Sequence, residues 1–298
     1  MSKHEQMHEE HLGKVRKDRP QKKAVEKRVG GPSALVIGVS VKSCTVSQNG
    51  TTRTIRYEIP VAPGDEVSIR HEKVFEIAPR RTTLSRTDPA NVNRQRVIAA
   101  NIDVLLIVAA AANPPFRPGL VDRYLVAAAR GGIRPILCIN KADLVDDVPE
   151  ARVFEVPTVL CSTVTGKGID ELRDLIADCT AVLAGHSGVG KSSLLNALAS
   201  EERAVTGKVN DETGAGRHTT TTSRLYELSN GARIIDTPGI REFGLGHLTL
   251  AEIQAAFPEF NQYACRFRDC AHRDDPDCAV REAGGPRYAS YLRLLSEL

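Results

Sequence analysis

The chain has 298 residues, 41% of them hydrophobic, and carries a net charge of +3 at pH 7. This length is sufficient for about one to three domains with cores of their own. The sequence has no run of about 18 apolar residues, and its N-terminus is charged from the start, so neither a membrane span nor a signal region is predicted. We expect a soluble cytoplasmic protein.

The N-terminal segment, residues 1–33, is predicted to be a disordered extension, because it is polar and ends near Gly30-Gly31-Pro32. Eight lysine and arginine residues crowd the stretch between Lys14 and Arg28. Two hypotheses fit this pattern and are compatible with each other. The segment is a solvated arm, or it binds nucleic-acid phosphates by releasing counterions.

Residues 34–86 show a β-rich pattern of about five short strands. The strands lie in the sequences ALVIGVSVKSCTV, TTRTIRYEI, EVSIR and KVFEI. The turn-forming residues Gln48-Asn49-Gly50 and Ala62-Pro63-Gly64-Asp65 separate them. This pattern is typical of a small barrel. An oligonucleotide-binding (OB) barrel is predicted, and an SH3-like barrel is an alternative that composition does not separate from it.

Residues 87–245 are predicted to form a doubly wound α/β domain. Apolar runs predict strands in IDVLLIVAAA, RPILCIN, PTVLCS and TAVLAG, and helical spacing predicts helices in VDRYLVAAARGG, IDELRDLIADC and SSLLNALAS. This alternation of strands and helices predicts a parallel sheet. LYEL and ARIID flank Ser229-Asn230-Gly231, which predicts a hairpin and hence an antiparallel edge.

A glycine-rich loop between a predicted strand and a predicted helix indicates a phosphate-binding site. It comprises Gly185, His186, Ser187, Gly188, Val189, Gly190, Lys191, Ser192 and Ser193. The glycines let backbone N–H groups turn inward around phosphates, and the helix N-terminus adds a partial positive charge. Lys191 is expected to reach the β- and γ-phosphates, and the Ser192 hydroxyl is expected to ligate Mg²⁺.

The tetrad Asn140-Lys141-Ala142-Asp143 follows a predicted strand and indicates guanine binding. Asp143 can accept hydrogen bonds from guanine N1–H and N2–H₂, whereas adenine would present an acceptor to the same carboxylate. Two charge-assisted bonds of about 1.5–3 kcal/mol each would favour GTP over ATP by roughly 10²–10⁴. After the next strand, Ser162 and Thr163 are expected to place a backbone N–H near the guanine carbonyl.

The segments downstream of the phosphate loop are expected to complete the site. Asp236 of the sequence Asp236-Thr237-Pro238-Gly239 is expected to hold Mg²⁺, and the N–H of Gly239 to contact the γ-phosphate. In the run GRHTTTT, Thr220 or Thr221 is expected to ligate Mg²⁺ as part of a switch. The alternative is a threonine run that simply pairs in the sheet.

Hydrolysis of the triphosphate depends on a positioned water. Many GTPases have glutamine directly after the DxxG motif, but Ile240 occupies that position here. Slow intrinsic turnover is therefore predicted, with an increase when a partner orders the switches. His218 is the nearest candidate to position water, and a structural role for His218 is an equal alternative.

Residues 246–298 are predicted to form a helical lobe that binds one structural Zn²⁺. Cys265, Cys270, His272 and Cys278 have the spacing C-x₄-C-x-H-x₅-C, and three thiolates with one imidazole suit tetrahedral zinc. A disulfide pair is the alternative, and a cytosolic location disfavours it.

The order of the motifs is unusual, because the guanine tetrad precedes the phosphate loop, as in a circularly permuted GTPase. With GHSGVGKSSL, GRHTTT, DTPGIREF and the zinc cluster, this order resembles the RsgA (YjeQ) family over roughly residues 34–298. The resemblance implies an OB barrel, a permuted GTPase and a zinc lobe. It also implies GTP hydrolysis stimulated by the 30S subunit, a role in late 30S maturation, binding to 16S rRNA, and a monomer off the ribosome.

Two other functions are kept as alternatives. One is a nucleotide-gated RNA-binding module in which hydrolysis is incidental, and changes at Ser192 or Asp236 would then leave RNA maturation intact. The other is a metabolic phosphotransferase that uses the same loop, which the guanine tetrad disfavours.

Overall fold

The computed structural model describes residues 33–88, 91–199, 223–236 and 248–298. Apart from Ser33, the predicted basic arm lies outside these residues, as do the candidate site residues His218, Thr220, Thr221 and Gly239. No helix in the described ranges is long and apolar enough to cross a bilayer.

The first five strands close into a small barrel. They are β1 (Ser33–Val39), β2 (Ser43–Gln48), β3 (Thr51–Arg56), β4 (Glu66–Arg70) and β5 (Lys73–Ile77). Hydrogen bonding follows the order β1-β2-β3-β5-β4, and pairing of β4 with β1 closes the barrel. Alternate residues point inward, so Val36, Val46, Ile55, Val67 and Val74 pack in its core. This arrangement confirms the predicted OB-like barrel rather than the SH3-like alternative.

A two-stranded ribbon follows the barrel and consists of β6 (Thr83–Asp88) and β7 (Asn91–Ala100). The sequence patterns did not single it out, because the polar run NVNRQR carries little apolar signal. At its end, the N–H of Ala100 donates to the carbonyl oxygen of Pro63 (2.9 Å) in the barrel segment. Strand β6 extends across residue 86, where the first of the predicted domain limits lies, and it pairs with β7 beyond that limit. The domain limits 34–86, 87–245 and 246–298 stay predictions.

Six further strands form the doubly wound sheet. They are β8 (Val104–Ala110), β9 (Arg134–Asn140), β10 (Thr158–Leu160), β11 (Thr180–Ala184), β12 (Ser223–Glu227) and β13 (Arg233–Asp236). The order is β10-β9-β8-β11-β13-β12, and neighbours are parallel except in the predicted hairpin of β12 and β13. The central strands β8 and β11 are buried along almost their whole length, because helices cover both faces of the sheet.

The covering helices are α1 (Pro118–Gly131) on one face and α2 (Ile169–Leu175) and α3 (Lys191–Ala199) on the other. Helix α1 ends where predicted, since Gly132 caps it in the left-handed conformation (φ 66°). The sheet also continues into the barrel, because β12 pairs antiparallel with β1. As β8, β9, β11 and β13 run parallel, their carboxyl ends meet at one edge, where ligands bind in such sheets.

The C-terminal lobe packs on α1. Its helices are α4 (Leu250–Ala255), α5 (Ala279–Ala283) and α6 (Gly285–Leu295), and a 3-10 turn (Pro258–Gln262) follows α4. Thr249 and Glu252 form a capping box that starts α4. Phe257, Phe260 and Tyr291 form the centre of the lobe, with ring centroids 5.2–5.4 Å apart.

A buried ion network joins the lobe to α1. The carboxylate of Asp122 in α1 is 0% exposed and pairs with Arg287 and Arg293 of α6. Arg287 also pairs with Glu259 (2.6 Å) and lies 4.2 Å from the centroid of the Phe257 ring. Burial raises the pKa of Asp122, while the hydrogen bonds and positive charges around it oppose that shift. Because buried charges are costly without their partners, this network fixes the lobe against α1.

Candidate nucleotide and metal sites

One buried side chain connects the three segments that were predicted to bind the nucleotide. Asn140, the last residue of β9, is 1% exposed. Its Nδ2 donates to the carbonyl oxygen of Val189 in the phosphate loop (3.0 Å), and its Oδ1 accepts from the N–H of Thr163 (3.3 Å). The structure therefore brings together the tetrad, the phosphate loop and the Ser162-Thr163 segment, although Asn140 and Val189 are 49 positions apart in the chain.

The phosphate loop wraps around its own lysine. Lys191 begins α3, and its Nζ donates to the carbonyl oxygens of Gly185 (2.7 Å) and His186 (2.8 Å). The ammonium group thus lies within the loop, beside the helix N-terminus that favours an anion. Ser187, Gly188, Ser192 and Ser193 are exposed, so the mouth of the loop is open to solvent.

Two glycines of the loop occupy positions that a side chain would not fit. Gly190 has a φ of 94°, and a Cβ atom there would lie 2.3 Å from Nδ2 of Asn140. A Cβ atom at Gly185 would lie 2.2 Å from the carbonyl oxygen of Val108 in β8. These glycines allow the loop to approach the sheet and the tetrad closely.

Tyr124 of α1 supports the phosphate loop from the sheet side, and sequence reasoning missed it. Its side chain is buried, and its phenol lies next to the backbone of Gly185. Burial raises the pKa of the phenol to about 12, and the neighbouring backbone of Gly185 opposes this shift. The sequence feature that could have indicated this role is the tyrosine hydroxyl, a polar group on the apolar face of the predicted helix VDRYLVAAARGG.

The turn after β9 forms the side of the candidate site that is predicted to bind guanine. Asp143 is exposed in a 3-10 turn (Ala142–Leu144), and within the described residues its carboxylate has no hydrogen-bond partner. Lys141 has a positive φ of 63°, and its Nζ donates to the carbonyl oxygen of Asn113. The Asp143 carboxylate is therefore accessible to an incoming base.

The turn after β10 is held by Ser162, which is 0% exposed. Its Oγ accepts hydrogen bonds from the N–H groups of Val164 and Thr165 (3.2 Å each). The N–H of Thr163 bonds to Asn140 instead of pointing to an open position. Contact between this turn and the guanine carbonyl stays a prediction.

The candidate Mg²⁺ ligands follow two neighbouring strands, one at the end of β13 and one at the start of α3. Asp236 ends β13, which pairs with β11, and β11 leads through the phosphate loop to Ser192, the second residue of α3. Burial raises the pKa of the Asp236 carboxyl, and the positive charge of nearby Lys191 opposes this shift. An acidic group and a hydroxyl at one sheet edge suit Mg²⁺, which prefers oxygen ligands.

The predicted zinc ligands lie together in the C-terminal lobe. The ligand atoms of Cys265, Cys270, His272 and Cys278 are within 4.8 Å of one another. Nδ1 of His272 lies 3.6 Å from Sγ of Cys265 and 3.5 Å from Sγ of Cys278, and these two sulfur atoms are 4.0 Å apart. Tetrahedral zinc implies edges of about 3.8 Å between sulfurs and about 3.6 Å between sulfur and nitrogen. The donor set and its spacing fit zinc, and the three cysteines are free thiols.

The fold and the nucleotide segments define the class of this protein. A guanine tetrad after β9 meets a phosphate loop that follows β11, later in the chain, on one edge of a doubly wound sheet. This arrangement is that of a circularly permuted GTPase. The chain belongs to the RsgA GTPase family, whose model matches residues 77–246.

Curated relatives and solved structures agree with this assignment. The small ribosomal subunit biogenesis GTPase RsgA of Photorhabdus laumondii is 40% identical over 252 residues, which cover 78% of this chain and 71% of the relative. The protein of the same name from Gemmatimonas aurantiaca is also 40% identical, over 80% of this chain and 85% of the relative. The crystal structure of YjeQ from Thermotoga maritima has a TM-score of 0.69 at 27% identity, covering 90% of this chain and 98% of that one. YloQ, a circularly permuted GTPase, matches with a TM-score of 0.65 at 24% identity, covering 91% and 96%.

Proposed function

We propose that this GTPase acts on the small (30S) ribosomal subunit as a switch in its late maturation, and that the subunit stimulates its GTP hydrolysis. The observation that carries the proposal is the 40% identity, over most of the chain, to proteins named small ribosomal subunit biogenesis GTPase. In this proposal the barrel and the zinc lobe contact 16S rRNA. The protein acts in the cytoplasm and is a monomer off the ribosome.

The chain's own residues position the triphosphate in this proposal. Lys191 binds the β- and γ-phosphates, and the backbone of the loop from Gly185 to Ser193 surrounds them. Ser192 and Asp236, with Thr220 or Thr221, hold Mg²⁺, which neutralises phosphate charge when bound. The N–H of Gly239 senses the γ-phosphate.

Guanine selectivity in this proposal rests on Asp143, whose exposed carboxylate accepts hydrogen bonds from N1–H and N2–H₂. Asn140 holds the tetrad against the phosphate loop, supported by its contact with Val189. Lys141, Ser162 and Thr163 border the base. Hydrolysis is slow without a partner, because Ile240 offers no polar group that could position the attacking water. His218 positions this water when the subunit orders the switches.

The test is the GTPase rate of the full chain with and without purified 30S subunits. We expect slow turnover alone and an increase of about tenfold or more with subunits, because partner activation of GTPases reaches far larger factors. ATP in place of GTP is the control and should be hydrolysed neither alone nor with subunits. Equal GTP rates with and without 30S subunits would contradict the proposal.

We also propose that the Cys265, Cys270, His272 and Cys278 cluster holds one structural Zn²⁺. All four protein ligands are present, so no open position is left for catalysis. The purified chain should contain one zinc per molecule, and Cys278→Ser should lose most of it, because Cys278 is a buried ligand. Metal analysis measures both, with Cys179→Ser, outside the cluster, as the matched control. Full zinc content in Cys278→Ser, or none in the unaltered chain, would rule the site out.

A further inference from the structure

Two cysteine thiols lie side by side next to the turn that carries the guanine tetrad. Cys138 lies on β9, two residues before Asn140, and Cys161 directly follows β10. Their Sγ atoms are 3.0 Å apart, and both residues are 0% exposed. Both are free thiols, and neither belongs to the zinc cluster of the C-terminal lobe. The candidate nucleotide site therefore has a buried thiol pair beside it.

The pair contacts the residue that joins the tetrad to the phosphate loop. Sγ of Cys161 lies 3.9 Å from Oδ1 of Asn140, the same oxygen that accepts from the N–H of Thr163. The N–H of Cys161 donates to the carbonyl oxygen of Ile139 (2.9 Å), and its carbonyl oxygen accepts from the N–H of Ala142 (3.0 Å). A displacement of Cys161 would therefore act directly on Asn140 and on the backbone of the tetrad.

The arrangement of the two sulfur atoms is close to that of a disulfide. An S–S bond is about 2.05 Å long, so the sulfur atoms would have to approach each other by about 1 Å. Cys138 pairs with Val159, two residues before Cys161, so both cysteine side chains lie on one face of the sheet. Because β10 is a three-residue strand at the edge of the sheet, Cys161 can shift towards Cys138 more easily than a residue of a central strand could.

We propose that Cys138 and Cys161 form a reversible disulfide on exposure to a hydroperoxide, and that this bond weakens guanine-nucleotide binding by displacing Asn140. The inference rests on the proposed function, because it concerns the guanine site described there. It adds a covalent modification to that site and a condition under which nucleotide binding changes.

The oxidation is balanced with hydrogen peroxide as the only co-reactant. One thiol sulfur attacks a peroxide oxygen, the O–O bond breaks, and a sulfenic acid and one water form. The second sulfur then attacks the sulfenic sulfur, so the S–S bond forms and hydroxide leaves with the second thiol proton as water. Both sulfur atoms are oxidised, and the peroxide is reduced to two waters. A small thiol such as glutathione reverses the step by exchange, as is usual for transient cytosolic disulfides.

Burial makes this reaction slow and dependent on bound nucleotide. The hydrogen bond with Cys161, together with burial, raises the pKa of Cys138, and a protonated thiol is a poor nucleophile. Peroxide therefore reaches the pair when the edge strand β10 opens locally. A nucleotide that binds only the closed site reduces the population of the open one, so GDP is expected to slow the oxidation.

The first test is to map the disulfide in the unaltered full chain. The chain is incubated with hydrogen peroxide, digested without reduction and analysed by mass spectrometry. We expect a cross-linked peptide pair that contains Cys138 and Cys161, formed more slowly when GDP is present. Treatment with dithiothreitol should remove the cross-link.

The second test is titration calorimetry with GDP before and after peroxide treatment. The unaltered chain should bind GDP roughly 2- to 13-fold more weakly after oxidation, the equivalent of one net hydrogen bond, and dithiothreitol should restore the affinity. Cys138→Ala removes one thiol of the pair and should make the GDP affinity independent of peroxide. Cys44→Ala is the matched control, because Cys44 is a buried thiol in the barrel core and this variant should respond as the unaltered chain does. The zinc-cluster cysteines are present in all three chains, so their oxidation would affect each chain equally.

Three outcomes would overturn the inference. They are the absence of a Cys138–Cys161 cross-link in the unaltered chain, a cross-link that leaves GDP affinity unchanged, and an equal loss of affinity in Cys138→Ala. The first two are measured on the unaltered chain, so they do not depend on the folding of a variant. The proposed function fails on a different measurement, namely the absence of 30S-stimulated hydrolysis in the reduced, unaltered chain, so the two failures are distinguishable.

Discussion

Replacing Gly190 with alanine is expected to weaken guanine-nucleotide binding by roughly 30- to 5,000-fold. The added Cβ would lie 2.3 Å from Nδ2 of Asn140, so Asn140 would have to withdraw from the carbonyl oxygen of Val189. Two costs then add: about 1–2 kcal/mol for a non-glycine residue at positive φ, and about 1–3 kcal/mol for a buried amide left without its partner. Titration calorimetry with GDP measures the effect.

Gly50→Ala is the matched control for backbone strain. Gly50 also has a positive φ (75°), but a Cβ atom there would meet nothing within 4 Å. This variant should lose some stability and keep its GDP affinity. If Gly190→Ala binds GDP as tightly as the unaltered chain, the Asn140 bridge is not what holds the tetrad to the phosphate loop.

Replacing Arg287 with alanine is expected to destabilise the folded chain by roughly 3–5 kcal/mol. The side chain of Arg287 is 12% exposed and pairs with Asp122 (0% exposed) and Glu259 (8% exposed). Its removal leaves two buried carboxylates without their shared partner, and it also removes the cation beside the Phe257 ring. Urea unfolding followed by circular dichroism is the measurement, because the chain has no tryptophan.

Arg293→Ala tests whether the loss of stability depends on the burial of the arginine side chain, rather than on the removal of one positive charge. Arg293 pairs with the same carboxylate of Asp122 (3.1 Å), but its own side chain is 53% exposed. Its removal should cost about 1 kcal/mol or less, since solvent screens the pair. Equal losses of stability in the two variants would show that the burial of Arg287 does not determine how strongly the network anchors the lobe.

The parts of the site that the sequence predicts are those whose chemistry depends on neighbouring residues in the chain. The phosphate loop is such a part, because one glycine-rich turn between a strand and a helix creates it. The zinc ligands are another, since Cys265 and Cys278 lie within one short segment. The OB-like barrel was predictable as a barrel from strand alternation, whereas its strand order depended on the closing pair β1–β4, which no local pattern encodes.

The features that sequence reasoning missed depend on contacts between distant residues. Asp122 and Arg287 are 165 positions apart, and each alone is an ordinary charged residue on a helix. Tyr124 was part of an apolar helical face, and nothing local indicated that it reaches Gly185. The β6–β7 ribbon was missed because its polar strands bury few residues. The role of each of these groups depends on whether it is buried and on which residues it contacts, and both are determined only when the chain folds.

The antiparallel pairing of β12 with β1 has a consequence for how the chain can be divided. It pairs Gly38 and Val39 of β1 with Arg224 and Ser223 of β12. The edge strand of the nucleotide domain is therefore hydrogen bonded to a strand of the barrel. A fragment cut free of the barrel would expose the unpaired N–H and C=O groups of β12. Such an open border is a template for self-association, so the fragment is expected to aggregate although its phosphate loop is intact.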